Sequence, residues 1–284
     1  MIHDSGQAWR EAPERRVMLF GMSGLGKTHV ASMLRRAGGW FHYSVDYRIG
    51  TRYMGELIAD DFKRHAMAVP LLRELLMTDS VRIESNIGFD NLAPLSTYLG
   101  KPGDPARGGL PFDEYMIRQD QHRAAEIEAL RDSVRFIRRA QDIYGYPHFV
   151  CDTSGSICEV VEPDDPADPL LDLLERHMLP VWIEGSEAHT AELVRRFDRA
   201  PKPMYYHPDF LRDAWAEYGE AHPGQVDPDA FIRWTYARAL AHRQPRYAAI
   251  ARRGVTVTAD QVARVATPED FTDLIARAID RKDD

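Results

Sequence analysis

Gly21-Met22-Ser23-Gly24-Leu25-Gly26-Lys27-Thr28 satisfies the spacing G-x-x-x-x-G-K-[ST] in full. Glycines in such a run let successive backbone N–H groups point inward around a phosphate. The Lys27 ammonium can bridge terminal phosphates, and the Thr28 hydroxyl can ligate magnesium. The apolar run Arg16-Val-Met-Leu-Phe-Gly21 stops at the first glycine and predicts a buried strand. Residues 27–36 read as a helix ended by Gly38-Gly39. A strand entering and a helix leaving is the setting a phosphate loop needs, because the helix N-terminus favours negative charge. The loop is therefore read as a P-loop for ATP and Mg2+. The expected nucleotide contacts are Gly21, Ser23, Gly24, Leu25, Gly26, Lys27, Thr28 and His29.

Outward from the loop, strands alternate with helices. Residues 40–47, aromatic and β-branched, predict a second strand. Residues 56–79 predict helix, with Leu71, Leu72, Leu75 and Leu76 as a buried stripe and Pro70 starting or interrupting it. Gly100, Pro102, Gly103, Pro105, Gly108, Gly109 and Pro111 crowd residues 88–113, which predicts a long loop of the kind that often carries function. Phe112–Tyr144 returns to helical spacing. Residues 148–152 form a third strand, followed by the turn Thr153-Ser-Gly-Ser156. Helix at 168–177, strand at 179–184, helix at 188–198, a loop at 199–208, mostly helix at 209–252, strand at 255–257 and helix at 268–281 complete the order. The expected fold class is α/β: a three-layer P-loop NTPase fold with a mostly parallel five-stranded sheet and an α-helical insertion. The chain is expected to form one domain over 1–284, with the insertion at about 55–145 and a lid at about 188–208.

The formal charge is −8, from 36 basic and 44 acidic side chains, which argues against nucleic acid as a partner. Only Cys151 and Cys158 are present, without metal-type spacing, and they read as reduced residues around a buried strand. The first sixteen residues lack the apolar core of a secretory signal, and no stretch is long enough to cross a bilayer. A cytoplasmic location with no membrane partner is the expectation. The histidines show no H-x-x-x-H or H-E-x-x-H pattern, so no transition-metal site is expected.

Three further segments carry a family resemblance. Val45-Asp46-Tyr-Arg48 ends the second predicted strand. Glu192-Leu-Val-Arg-Arg-Phe-Asp-Arg-Ala-Pro-Lys-Pro203 follows the fourth, and Arg243-Gln-Pro-Arg-Tyr247 with Ala251 precedes the last. In coarse order across most of its length, the chain resembles P-loop kinases of the shikimate kinase and gluconate kinase type. The resemblance implies an acidic residue beside the phosphate acceptor, an arginine-bearing lid, and an arginine–tyrosine–alanine pattern before the last strand. Two departures stand out. The glycine triplet of shikimate kinase after the third strand is replaced by Thr153-Ser-Gly-Ser156, and the stretch from about 55 to 145 is far longer. A different acceptor pocket is therefore expected.

Asp152, at the end of the third strand, is the expected magnesium ligand beside Thr28; its rival role is capping the following turn. Asp46 either accepts the proton of a substrate hydroxyl, orders magnesium-bound water, or merely shapes a turn. One of Arg195, Arg196 and Arg199 is expected to swing over the γ-phosphate, since adjacent helical positions do not share a face. Arg243 is a candidate nucleotide contact, and either it or Arg246 could instead pair with an acid. Arg48, Arg52 and Arg118 are candidate substrate residues for an anionic acceptor. His122 shares a helical face with Arg118 but reads better as part of a polar outer surface. Tyr205-Tyr206 either flank the lid or lie in the core. The expected activity is transfer of the γ-phosphate of ATP to a small-molecule acceptor. The alternatives are a regulatory or signalling ATPase with a protein partner at the 88–113 loop, and a nucleotide or nucleic-acid-end kinase.

Overall fold

The computed structural model describes residues 3–282. Helix α1 (Gly6–Glu11) precedes strand β1 (Arg16–Phe20), and the P-loop leads into α2 (Lys27–Ala37). After β2 (Trp40–Ser44) comes a long helical stretch: α3 (Val45–Arg48), α4 (Gly55–Ala66), α5 (Pro70–Met77), α6 (Ala93–Leu99) and α7 (Phe112–Tyr144). Strand β3 (His148–Asp152), α8 (Ile157–Val160), α9 (Pro169–His177) and β4 (Leu179–Glu184) follow. The chain ends in α10 (Glu187–Arg199), α11 (Pro208–Ala221), α12 (Pro228–Ala251), β5 (Val255–Thr258), α13 (Ala259–Val262) and α14 (Pro268–Asp280).

The strands form one sheet in the order β2-β3-β1-β4-β5, and every pairing is parallel. A parallel sheet is covered on both faces, which is why Val17, Met18, Leu19 and Phe20 are all fully buried without alternation. Helices α2 and α14 pack on one face; α7, α9 and α12 pack on the other. The result is the three-layer α/β arrangement of the P-loop NTPase fold. Strand β1 lies between β3 and β4: the chain leaves β1 toward β2 on one side, and the β3-to-β4 connection crosses past β1 to the other. Such a switch point opens a crevice at the carboxyl ends of the strands. Leu19 is in register with Asp152 on one side and Val181 on the other, which brings the P-loop and the 153–156 turn to the same edge.

Most predicted strands and helices agree with the structure to within a few residues. Three expectations need correction. The second strand stops at Ser44, whose side chain accepts from Tyr47 N and caps α3, so Asp46 lies in a first helical turn and not at a strand end. Residues 56–79 divide at Pro70, as that proline implies, but the leucine stripe is not buried. Pro70 opens α5, no residue of α5 is buried, and Leu71 and Met77 are 65% and 72% exposed. The core under this stretch is supplied instead by Ile58 of α4 and by Tyr115, Ala125, Ala129 and Leu130 of α7. Residues 88–113 are not wholly loop, since α6 is entered through Pro94 and left through Gly100 at φ 67°. Cys151 and Cys158 are free and buried. Among the described residues no helix is long and apolar enough to cross a membrane.

Candidate active site

The P-loop backbone takes the form its glycines permit. Gly21 has φ 132°, and a Cβ there would meet Ile183 O at 2.6 Å. Gly26 has φ 102° and is the N-cap of α2, so the open N–H groups of that helix face the loop. Lys27 is buried, and its Nζ donates to Gly21 O at 2.7 Å and Met22 O at 3.1 Å. Burial pulls the Lys27 pKa down, against the opposing pull of Asp152 and Asp46. Around the loop lies a cavity of about 300 Å3, lined by Ser23, Gly24, Lys27, Thr28, His29 and Asp46 among others. The 153–156 turn presses against it: a Cβ on Gly155 would sit 2.3 Å from Ser23 Oγ.

Two carboxylates lie near this cradle, Asp46 in its lining and Asp152 close enough to act on Lys27. Asp152 is buried at the end of β3, where His42 Nε2 comes within 3.6 Å of Asp152 Oδ2. Asp46 projects from α3; burial and the neighbouring Asp152 raise its pKa to about 6, with Lys27 pulling the other way. A buried ammonium, a ring of backbone N–H groups, a hydroxyl at Thr28 and two nearby carboxylates make a donor set suited to a polyphosphate with a hard divalent cation.

A second cavity of about 160 Å3 adjoins the first and shares Ser23, Asp46 and Gly155 with it. Leu92, Leu95 and Leu99 give it an apolar side, and His122, Ser154, Ser156 and Tyr205 a polar one. Behind the serines lies Glu126, fully buried, which accepts hydrogen bonds from Ser154 Oγ and, at 2.7 Å, from Ser156 Oγ. Burial raises its pKa to about 7 despite those two donors. His122 stacks on Tyr205 with ring centroids 5.0 Å apart, and burial lowers its pKa to about 3, so the ring is neutral. Arg243 completes the wall at 2% exposure. Its Nε donates to Glu159 Oε1 at 2.7 Å, Nη1 to Gly155 O at 3.2 Å, and Nη2 to Tyr205 O at 2.6 Å.

The candidate residues divide sharply. All of Ser23, Gly24, Gly26, Lys27, Thr28, His29 and Asp46 line the phosphate cavity. Arg243 faces the second cavity and is paired with Glu159, away from the nucleotide contact expected of it. Arg48 is committed to Asp132 at 2.7 Å, and Arg118 to Asp61 and Glu114 at 3.0 and 2.7 Å. Arg52 is exposed on the π-helical turn Ile49–Tyr53. None of these three lines either cavity, because each sits behind or outside the layer that does. Arg195 and Arg196 both pair with Glu192, at i,i+3 and i,i+4 on α10, and their side chains are 60% and 63% exposed; Arg199 is exposed as well. None of Arg195, Arg196 and Arg199 lines the cavity around the P-loop. Arg246 donates to Cys158 O and Val161 O.

His122 is buried and lines a cavity, against the expectation of a polar outer face. Tyr205 and Tyr206 are both buried, and only Tyr205 reaches the second cavity. Glu126 and the two serines were missed as site residues. A signal existed: Arg118, His122 and Glu126 recur every four residues on one helix, which places them along a single face, and small Ala125 and Ala129 flank them.

No family model and no curated protein matches the chain. A solved structure of shikimate kinase from Bacteroides thetaiotaomicron matches over 94% of this chain and 96% of that chain, at 14% identity and a TM-score of 0.38. The parallel strand order and the P-loop geometry define the fold.

Proposed function

We propose that this protein is an ATP-dependent phosphotransferase acting on a small-molecule acceptor. One observation carries the reading: the phosphate cavity adjoins a second, smaller cavity, and Asp46 lines both. A transferable phosphoryl group in the first and a hydroxyl in the second would meet beside that carboxylate.

Catalysis of this kind is mainly positioning and charge neutralisation. Magnesium, when bound, neutralises phosphate charge; Thr28 and Asp152 would hold it, the latter directly or through a water. The P-loop N–H groups and Lys27 grip the phosphates. Lys27 would exchange its present acceptors, Gly21 O and Met22 O, for phosphate oxygens. Asp46 takes up the proton of the acceptor hydroxyl, a task its raised pKa of about 6 favours near neutral pH. Residues of about 188–208 act as the lid. Leu193 on α10 already leans on the P-loop, within 2.9 Å of a Cβ built on Gly24, and release of the Glu192 pairs would free Arg195 or Arg196 to turn inward.

Lys27→Ala is expected to lower kcat/KM by about 10²–10³-fold or more while circular dichroism and the thermal transition stay close to wild type. Unchanged turnover would end this assignment. A regulatory ATPase is the second reading. A groove of about 1120 Å3 between residues 89–108 and 202–233 favours it as a seat for a partner, and nucleotide-dependent capture of that partner without metabolite-dependent turnover would uphold it.

A further inference from the structure

Asp152 has one close partner of opposite polarity. Strands β2 and β3 pair in parallel, with His42 opposite Val150 and Ser44 opposite Asp152. Positions two apart on a strand share a face, so His42 and Asp152 are diagonal neighbours on one side of the sheet. His42 Nε2 stands 3.6 Å from Asp152 Oδ2, and the two side chains are 0% and 5% exposed. Among the described residues His42 is the one lysine, arginine or histidine that pairs with this carboxylate.

The imidazole is otherwise unengaged. Both ring nitrogens are buried, and neither makes a hydrogen bond within the protein. Phe89 of the insertion covers the ring with carbon, at a centroid distance of 4.9 Å. Phe89 is held in turn by Tyr47, stacked at 4.8 Å, and by the Arg35 guanidinium 4.9 Å over its ring. Buried polar groups are bonded in nearly all folded proteins, and the exceptions call for a role. An apolar side chain would fill the same space without the cost of an unbonded polar ring. The gap to be closed is small, since hydrogen bonds of this kind reach about 3.2 Å.

We infer that His42 is the positioning residue for Asp152: in the loaded site its Nε2–H donates to Oδ2, fixing one carboxylate oxygen and leaving the other for magnesium or its water. This deepens the phosphotransferase reading and rests on its assignment of Asp152 to the metal. A carboxylate without such an anchor rotates among several orientations and presents itself to a cation in only some of them. Outer partners that orient a metal-holding group are worth about 10–100-fold in metal affinity. The insertion contributes as well, because Phe89 restrains the ring that does the orienting.

The test reads metal retention and not turnover. Mn2+ replaces Mg2+, and its free concentration is followed by paramagnetic resonance during titration into protein holding a non-hydrolysable ATP analogue. His42→Leu should weaken Mn2+ binding about 10–100-fold with metal-free analogue affinity unchanged. His42→Gln, which keeps an N–H donor, should recover most of the loss. In an Asp152→Asn background the His42→Leu loss should vanish, which a general packing defect would not produce. Wild-type Mn2+ affinity in His42→Leu, or an undiminished loss in the Asp152→Asn background, would overturn the inference and leave the phosphotransferase reading standing. Mn2+ held no more tightly by the wild-type complex than by free analogue would remove Asp152 from the metal, and the inference with it. Should His42→Leu not fold, wild type still decides. A slowly exchanging, downfield His42 Nε2 proton resonance is expected with Mg2+ and analogue bound, and its absence would overturn the inference.

Discussion

The two adjoining cavities solve opposite electrostatic problems. The phosphate cradle concentrates positive character: open N–H groups at the start of α2, a buried ammonium at Lys27, and no ion pair holding that ammonium. The neighbouring cavity cancels charge: Arg243 is matched by Glu159, Glu126 is surrounded by hydroxyls, and His122 is neutral. The contrast shows that one crevice carries open N–H groups and a buried cation at one end and an internally neutralised wall at the other.

The contrast can be broken most severely at its one buried ion pair. Arg243→Met would leave Glu159 fully buried with only His242 near it, at 3.3 Å. In the folded protein Arg243 and His242 together outweigh burial and hold the Glu159 pKa at about 2. Loss of one partner of such a pair costs about 3–5 kcal/mol, and urea unfolding should show it as a lower midpoint with unchanged slope. A midpoint equal to wild type would mean the pair does not hold this wall.

A smaller effect is expected at Glu126, and its sign follows from linkage. The folded-state pKa of about 7 lies above the ordinary value of 4.5, so the folded protein binds the extra proton between those limits. Stability from this group is therefore full below pH 4.5 and lost as pH rises through 7, on the order of 3 kcal/mol in all. Glu126→Gln should flatten that fall in denaturation series run from pH 5 to 8. An equal slope in both proteins would show that Glu126 is ionised throughout.

The smallest stability effect belongs to α10, the proposed lid. Arg195→Ala and Arg196→Ala break exposed pairs with Glu192, each worth about 0–1 kcal/mol. Little change in melting temperature is expected, whereas kcat should fall in one of the two variants. Full activity in both would remove these arginines from the mechanism.

The cradle was legible because its parts are contiguous: residues 21–29 carry the loop, the lysine and the hydroxyl, and one strand and one helix fix their geometry. The succession of strands along the chain followed from buried apolar runs of the same local kind, whereas their order in the sheet comes from long-range pairing. The second cavity was not legible, since Asp46, Leu95, His122, Ser154, Tyr205 and Arg243 come from separate segments that only packing brings together. Arginines mislead most under those conditions. Arg48, Arg118 and Arg243 share a residue type but not a role, and what distinguishes them is a partner tens of residues away: Asp132, Asp61 and Glu159. The leucines of α5 mislead in the converse way, because helical periodicity shows which face is apolar without showing whether anything covers it.

The central claim is that a phosphoryl group passes from the first cavity to an acceptor in the second, beside Asp46. It is tested most directly by following γ-labelled ATP with wild type and Asp46→Asn in the presence of a small-molecule extract. The label is expected in a phosphate ester with wild type, with ester formation lowered about 10²–10⁴-fold by Asp46→Asn while ATP still binds. Label recovered only as inorganic phosphate from both proteins, at equal rates, would contradict it.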